Sequence, residues 1–148
     1  MQGNEQLPGG STAERTERET IVAQVETVLD SMQRGDLATT VKCFAPDVIY
    51  RGGTCVMYPA SMQGQGREGL AHTLRAIHVE YEILETTLLQ LVIDGDRAGA
   101  LRVSRLRHRG TGRTGIVHTW NFLRFRDGLI SEFSEFPDTA AFAHINRD

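Results

Sequence analysis

An α+β domain is predicted from three observations. Helical periodicity fills the first half of the chain, long alternating segments fill the second, and tight turns separate those segments. The strongest turn is Asp127-Gly128, set between two apolar-rich stretches, a strong short-range signal for a β-hairpin. Before that turn the strand carries apolar residues on both faces: Val117, Leu123 and Phe125 on one, Ile116, Trp120 and Phe122 on the other. One face belongs to the core. The other needs a second cover, and a second copy of the chain is the expected one.

Residues 1–17 are polar and Gly-rich without an apolar run, and are expected to form a disordered lead-in to a single domain over 18–148. From near Arg18, Ile21, Val25, Val28, Leu29 and Met32 fall on one stripe of an amphipathic helix. Gly35 suits its C-terminal cap, and Asp36 can cap a second, short helix through Ala45 that buries Leu37, Val41 and Phe44 and stops at Pro46-Asp47. Val48-Ile49-Tyr50 begins an extended segment. Arg51 to Gly66 reads as a long Gly-rich loop, a type that often serves as a binding element or lid. A third helix is predicted from about Arg67 to Tyr81, with Leu70, Leu74, Ile77, His78 and Tyr81 on its apolar face. Strands follow over Glu82–Asp94, Ala98–Arg109, Ile116–Arg126 and Leu129–Phe136, and Asp138 can cap a last short helix. A long antiparallel sheet curls because it twists. Helices on its concave side leave a conical pocket, a natural small-molecule site.

The 148 residues suit one domain with a real core, and the formal charge of −3 sets up no field that favours nucleic acid or an anionic membrane. No apolar run approaches the ~18 residues of a membrane span, and no secretory h-region is visible. Cys43 and Cys55 lack metal-ligand spacing and are expected as reduced thiols in a cytoplasmic protein. Arg102, Arg105, Arg107, Arg109 and Arg113 make one strand and its turn basic. Aromatic interleaving is absent, and Glu82, Glu85 and Glu132 lie on other predicted strands, so no nucleic-acid partner is expected. Two stretches satisfy G-x-G-x-x-G, at Gly64-Gly66-Gly69 and Gly110-Gly112-Gly115. The first follows a loop and the second leads into a strand, so neither supplies the strand-turn-helix frame of a dinucleotide site.

Three motifs carry a family resemblance. Gln33-Arg34-Gly35-Asp36-Leu37 followed by Cys43-Phe44-Ala45-Pro46-Asp47-Val48 resembles the "GD…F..DV" opening of the NTF2-like superfamily. Arg124-Phe125-Arg126-Asp127-Gly128-Leu129-Ile130 resembles its "RFxDGKI" hairpin, and Glu135-Phe136-Pro137-Asp138-Thr139 the end of its last strand. The likeness spans roughly Arg18 to Ala143 and looks like the SnoaL-like, ketosteroid-isomerase-like branch. It implies a cystatin-like α+β cone, three N-terminal helices packed on a curved, mostly antiparallel sheet, usually a homodimer, with no metal or cofactor. It does not imply a reaction, because the fold hosts isomerases, cyclases, epoxide hydrolases and proteins without known activity.

Family catalytic positions transfer only in part. The acidic position four before the Phe of "RF" is Asn121 here, whose amide can donate to an oxyanion but cannot exchange a proton. The isomerases' general-base Asp falls at Gly52 or a neighbour, and their helix-one Tyr near Val28, so isomerisation by that mechanism is not expected. The Asp-Arg-Asp group of limonene-epoxide-hydrolase-like members corresponds to Arg102-Val103-Ser104 and Glu135. The arginine and one carboxylate are kept, and Ser104 stands where the second carboxylate would be. Water activation needs a base and epoxide opening an acid; one carboxylate would struggle to serve as both.

The expected catalytic group is therefore Glu135 as acid/base, Arg102 to orient or polarise, and Asn121 as oxyanion donor. Tyr50, Tyr58, His78 and Ser104 are expected as polar contacts, and Phe44, Leu123 and Phe133 as apolar ligand contacts. His118, on the opposite parity from Asn121, should face outward, and His108 should be exposed. These residues fit a protein that binds a small, largely apolar organic molecule, as a cofactor-free isomerase, hydratase or hydrolase, and dimerises through Trp120 and Phe122. The alternative is a non-catalytic binding or scaffold protein that fills the cone with Phe44, Phe125 and Phe133.

Overall fold

The computed structural model describes residues 10–52 and 66–147. Helix α1 (Thr12–Arg34) begins well before the expected Arg18. The cause is a capping box: the Ser11 hydroxyl accepts from the Glu14 N–H at 3.2 Å, and the Glu14 carboxylate accepts from the Ser11 N–H at 2.6 Å. Ile21, Val25 and Val28 form its buried stripe, and Gly35, at φ 71°, ends it in the left-handed conformation.

Helix α2 (Leu37–Lys42) is capped by Asp36, which accepts from the Thr39 N–H at 3.1 Å. It is shorter than the pattern suggested. Phe44 and Pro46 belong instead to strand β1 (Phe44–Gly52). Proline is tolerated there because β1 is an edge strand whose ladder is irregular between Phe44 and Ile49. Helix α3 (Gly66–Glu80) buries Leu70, Thr73 and Leu74. Tyr81 opens the next strand rather than closing this helix. Arg51 and Gly52 of the expected loop lie in β1 and Gly66 opens α3; the remainder, with Tyr58 and Cys55, falls outside the described residues.

Strands β2 (Tyr81–Asp94), β3 (Arg97–His108), β4 (Thr114–Arg126) and β5 (Leu129–Pro137) form the expected meander. The Asp127-Gly128 turn has positive φ at both residues, 52° and 75°, the requirement of a type I′ hairpin. Helix α4 (Thr139–Asn146) is capped by Asp138. Among the described residues the sheet has five strands in the order β1-β5-β4-β3-β2, with β1 parallel to β5 and the other neighbours antiparallel. The expected set of three N-terminal helices holds only in part: one long and one short helix precede β1, and α3 follows it.

Helix α1 rests on β2, α3 on β1 and β2, and α4 on β4 and β3. Gly115 permits the last contact, since a Cβ there would come within 2.6 Å of Ile145. The inward rows of β3 and β4 run apolar, polar, apolar. On β4, Leu123 and Phe125 join the main cluster, Thr119 and Asn121 follow, and Val117 joins a smaller cluster with Tyr81, Leu106, Phe142 and Ile145. On β3, Ala98 and Ala100 precede Arg102 and Ser104, and Leu106 follows. Strand pairing aligns these polar positions into one belt across the inner face. The opposite face exposes Ile116, Trp120, Phe122 and Phe136, as the two-faced pattern of β4 predicts.

Candidate active site

Three strands bring the belt together. Asn121 lies opposite Glu135 in the β4–β5 ladder, and Arg102 approaches from β3 on the far side of β4. Each nitrogen of the Arg102 guanidinium has a partner. Nη2 donates to Glu135 Oε2 at 2.8 Å, Nε to Asn121 Oδ1 at 3.1 Å, and Nη1 to Ser104 Oγ at 3.0 Å. The Asn121 amide also donates to Glu135 Oε2, at 3.1 Å. Ser104 is hydrogen-bonded in turn to the Thr86 hydroxyl. The Arg102 and Glu135 side chains are 16% and 8% exposed, so this ion pair lies largely out of water. Asn121 spends its carbonyl on Arg102 and one amide hydrogen on Glu135, which leaves one amide hydrogen for an oxyanion.

The belt forms the polar part of a cavity of about 80 Å³. Its walls are otherwise largely apolar, with Val28, Phe44, Leu74, Leu123, Phe133 and Phe142 among them. The volume is below the ~300–1,000 Å³ of drug-sized sites. Tyr50 lines it and stacks on Phe133 at 5.7 Å between ring centres, while Phe44 meets Phe133 edge-on at 5.5 Å. Ser104, Tyr50, Phe44, Leu123 and Phe133 are thus gathered around Glu135, Arg102 and Asn121. Tyr58 lies outside the described residues.

His78 is placed differently from the expectation. Its Nδ1 lies 3.0 Å from the Leu74 carbonyl and its Nε2 2.9 Å from the Met32 carbonyl, so the ring ties α3 to the end of α1 and is not among the cavity-lining residues. His108 is half-buried rather than exposed, packed on Tyr81 at 5.4 Å and hydrogen-bonded to Thr111. His118 is on the outer face. Burial pushes the Cys43 thiol up, which disfavours the thiolate. Among the described residues no group of three or more His, Cys, Asp and Glu side chains is placed to hold a metal ion. No helix among them is long and apolar enough to cross a membrane.

Sequence reasoning missed Thr86 and Thr119, both of which line the cavity. The signal for Thr119 was present: it shares the strand parity of Asn121 and Leu123.

The SnoaL-like domain model matches residues 25–133, and the chain belongs to that family. Comparison with curated proteins finds no match. Among solved structures, an NTF2-like protein of unknown function from Burkholderia pseudomallei is 22% identical, with a TM-score of 0.73 over 87% of this chain and 98% of that one. An LEH-like epoxide hydrolase from M. tuberculosis is 17% identical, with a TM-score of 0.67 over 85% of this chain and 88% of its own. A protein with a ketosteroid isomerase-like fold from Catenulispora acidiphila, solved with trimethylamine, is 15% identical, with a TM-score of 0.67 over 80% and 87%. At these identities the likeness establishes the NTF2-like fold.

Proposed function

We propose that this SnoaL-like protein binds a small, largely apolar organic molecule and acts on it without a cofactor or metal, by isomerisation, hydration or hydrolysis. The observation that carries this reading is a buried ion pair at the wall of a largely apolar cavity. Burying two charges costs several kcal/mol per ion before pairing offsets it, and apolar replacements are often as stable. A pair kept at such a site is better explained by chemistry than by stability. Glu135 is the acid/base, Arg102 holds and polarises, and Asn121 supplies a donor to developing negative charge. With Ser104 in place of a second carboxylate, the reaction is one that a single acid/base can complete. The named epoxide hydrolase relative lends support of fold only.

A non-catalytic binder or scaffold is the second reading, favoured by the small cavity and the Phe44-Tyr50-Phe133 stack against it. Turnover of a panel of small epoxides, enones and lactones by the wild type and by Glu135→Gln separates the two. Loss of any turnover by at least about a hundredfold in the variant supports catalysis; no turnover by either form leaves the scaffold. The exposed Trp120, Phe122 and Phe136 support a homodimer through the outer sheet face. The acidic balance favours neither nucleic acid nor membrane, and the reduced-thiol reading of the cysteines suits a cytoplasmic setting.

A further inference from the structure

Thr119 is 3% exposed, lines the cavity, and stands opposite Arg102 in the β3–β4 ladder. Among the described residues its hydroxyl has no hydrogen-bond partner, although every other polar side chain of the belt has one. A buried hydroxyl left in this state would be costly. Yet no fully enclosed side-chain oxygen in the described structure lacks a partner. The Thr119 oxygen therefore keeps contact with open space, and for a residue so buried on the inner face that space is the cavity.

The charge beside it is already balanced. Arg102 is matched by Glu135, and three of the guanidinium's five N–H groups are spent on Asn121, Ser104 and Glu135. An anionic ligand would add a second negative charge beside Glu135 in a poorly solvated site, which is unfavourable. A neutral oxygen carries no such penalty and can accept from the hydroxyl.

Building on the small-molecule reading of the cavity, we infer that Thr119 is a ligand-anchoring residue and that the ligand presents a neutral acceptor oxygen, as in a ketone or an alcohol. Thr119 selects such a compound against the matching hydrocarbon, and the balanced Arg102–Glu135 pair selects it against the matching carboxylate. Arg102 and Glu135 then act at the oxygen that Thr119 locates.

The test uses four probes on one five-membered ring: methylcyclopentane, cyclopentanol and cyclopentanone, which match in size, and the slightly larger cyclopentanecarboxylate. Each is titrated into the full chain and followed by chemical shifts of cavity methyl groups. Wild type should bind the alcohol or the ketone at least about tenfold more tightly than the hydrocarbon or the carboxylate. Thr119→Val, which keeps the shape, should erase that preference while leaving the hydrocarbon unchanged. Thr119→Ser should restore it, which a purely structural role would not predict. Equal alcohol and ketone affinity in wild type and Thr119→Val overturns the assignment, and tighter carboxylate binding overturns the neutral class. If the hydrocarbon binds but neither oxygen probe gains from Thr119, only this inference fails. If no probe binds, the small-molecule reading fails with it.

Discussion

Arg102 and Glu135 stand on strands that do not pair. Strand β4 runs between them, and the 2.8 Å contact reaches across it with Asn121 bonded to both. The three side chains form one unit, so single substitutions leave a buried partner stranded. Glu135→Leu should destabilise the fold by about 3–5 kcal/mol in urea unfolding, because Arg102 is left charged and unmatched. The double variant Arg102→Leu/Glu135→Leu should recover most of that loss and still lose any turnover. Equal destabilisation by both would contradict the view that the pair is kept for function.

His78 predicts a different outcome. Replacing it with Ala removes contacts to two carbonyls on separate helices, at a cost of about 1–3 kcal/mol. Because the ring does not line the cavity, any intrinsic turnover should persist at temperatures well below unfolding. A complete loss of activity in a folded variant would return His78 to the site.

Glu132 gives the pH dependence. Hydrogen bonds from Arg51 and then Arg124 hold its carboxyl below the usual glutamate range. Its stabilising contribution is present above that range and disappears as pH falls through the lowered folded value. The group is at the surface, so the effect is at most about 1 kcal/mol. Thermal melts of wild type and Glu132→Gln should differ slightly at neutral pH and converge in acid.

The outer face is tested by Phe122→Glu. Sedimentation should show a dimer for wild type and a monomer for the variant, with helical content unchanged. A wild-type monomer would remove the dimer proposal outright.

The order of elements and the inward parity of β4 were legible because period-2 and period-3.6 patterns are local. The capping box at Ser11 and Glu14 is equally local, and it starts α1 at Thr12, ahead of the first apolar residue of the stripe at Ile21. Phe44 and Pro46 were misplaced because helix and edge strand compete over a short apolar run, and pairing with β5 decides between them. Family likeness points to Arg102 and Glu135 as candidates, and the fold brings them into one ion pair. Asn121's place between them needed the register of three strands. His78 illustrates the limit: its face was readable, but the Met32 carbonyl that captures it lies on another helix.

The polar belt is also a seam. The apolar bodies on its two sides hold different sets of partners, so one can breathe while the other stays closed. The smaller body leans on an eight-residue helix seated over a bare glycine backbone. Slow, local opening is thereby allotted to the α4 end, and amide exchange there should outpace exchange in the main body. The ion pair lies on the boundary between these two apolar bodies.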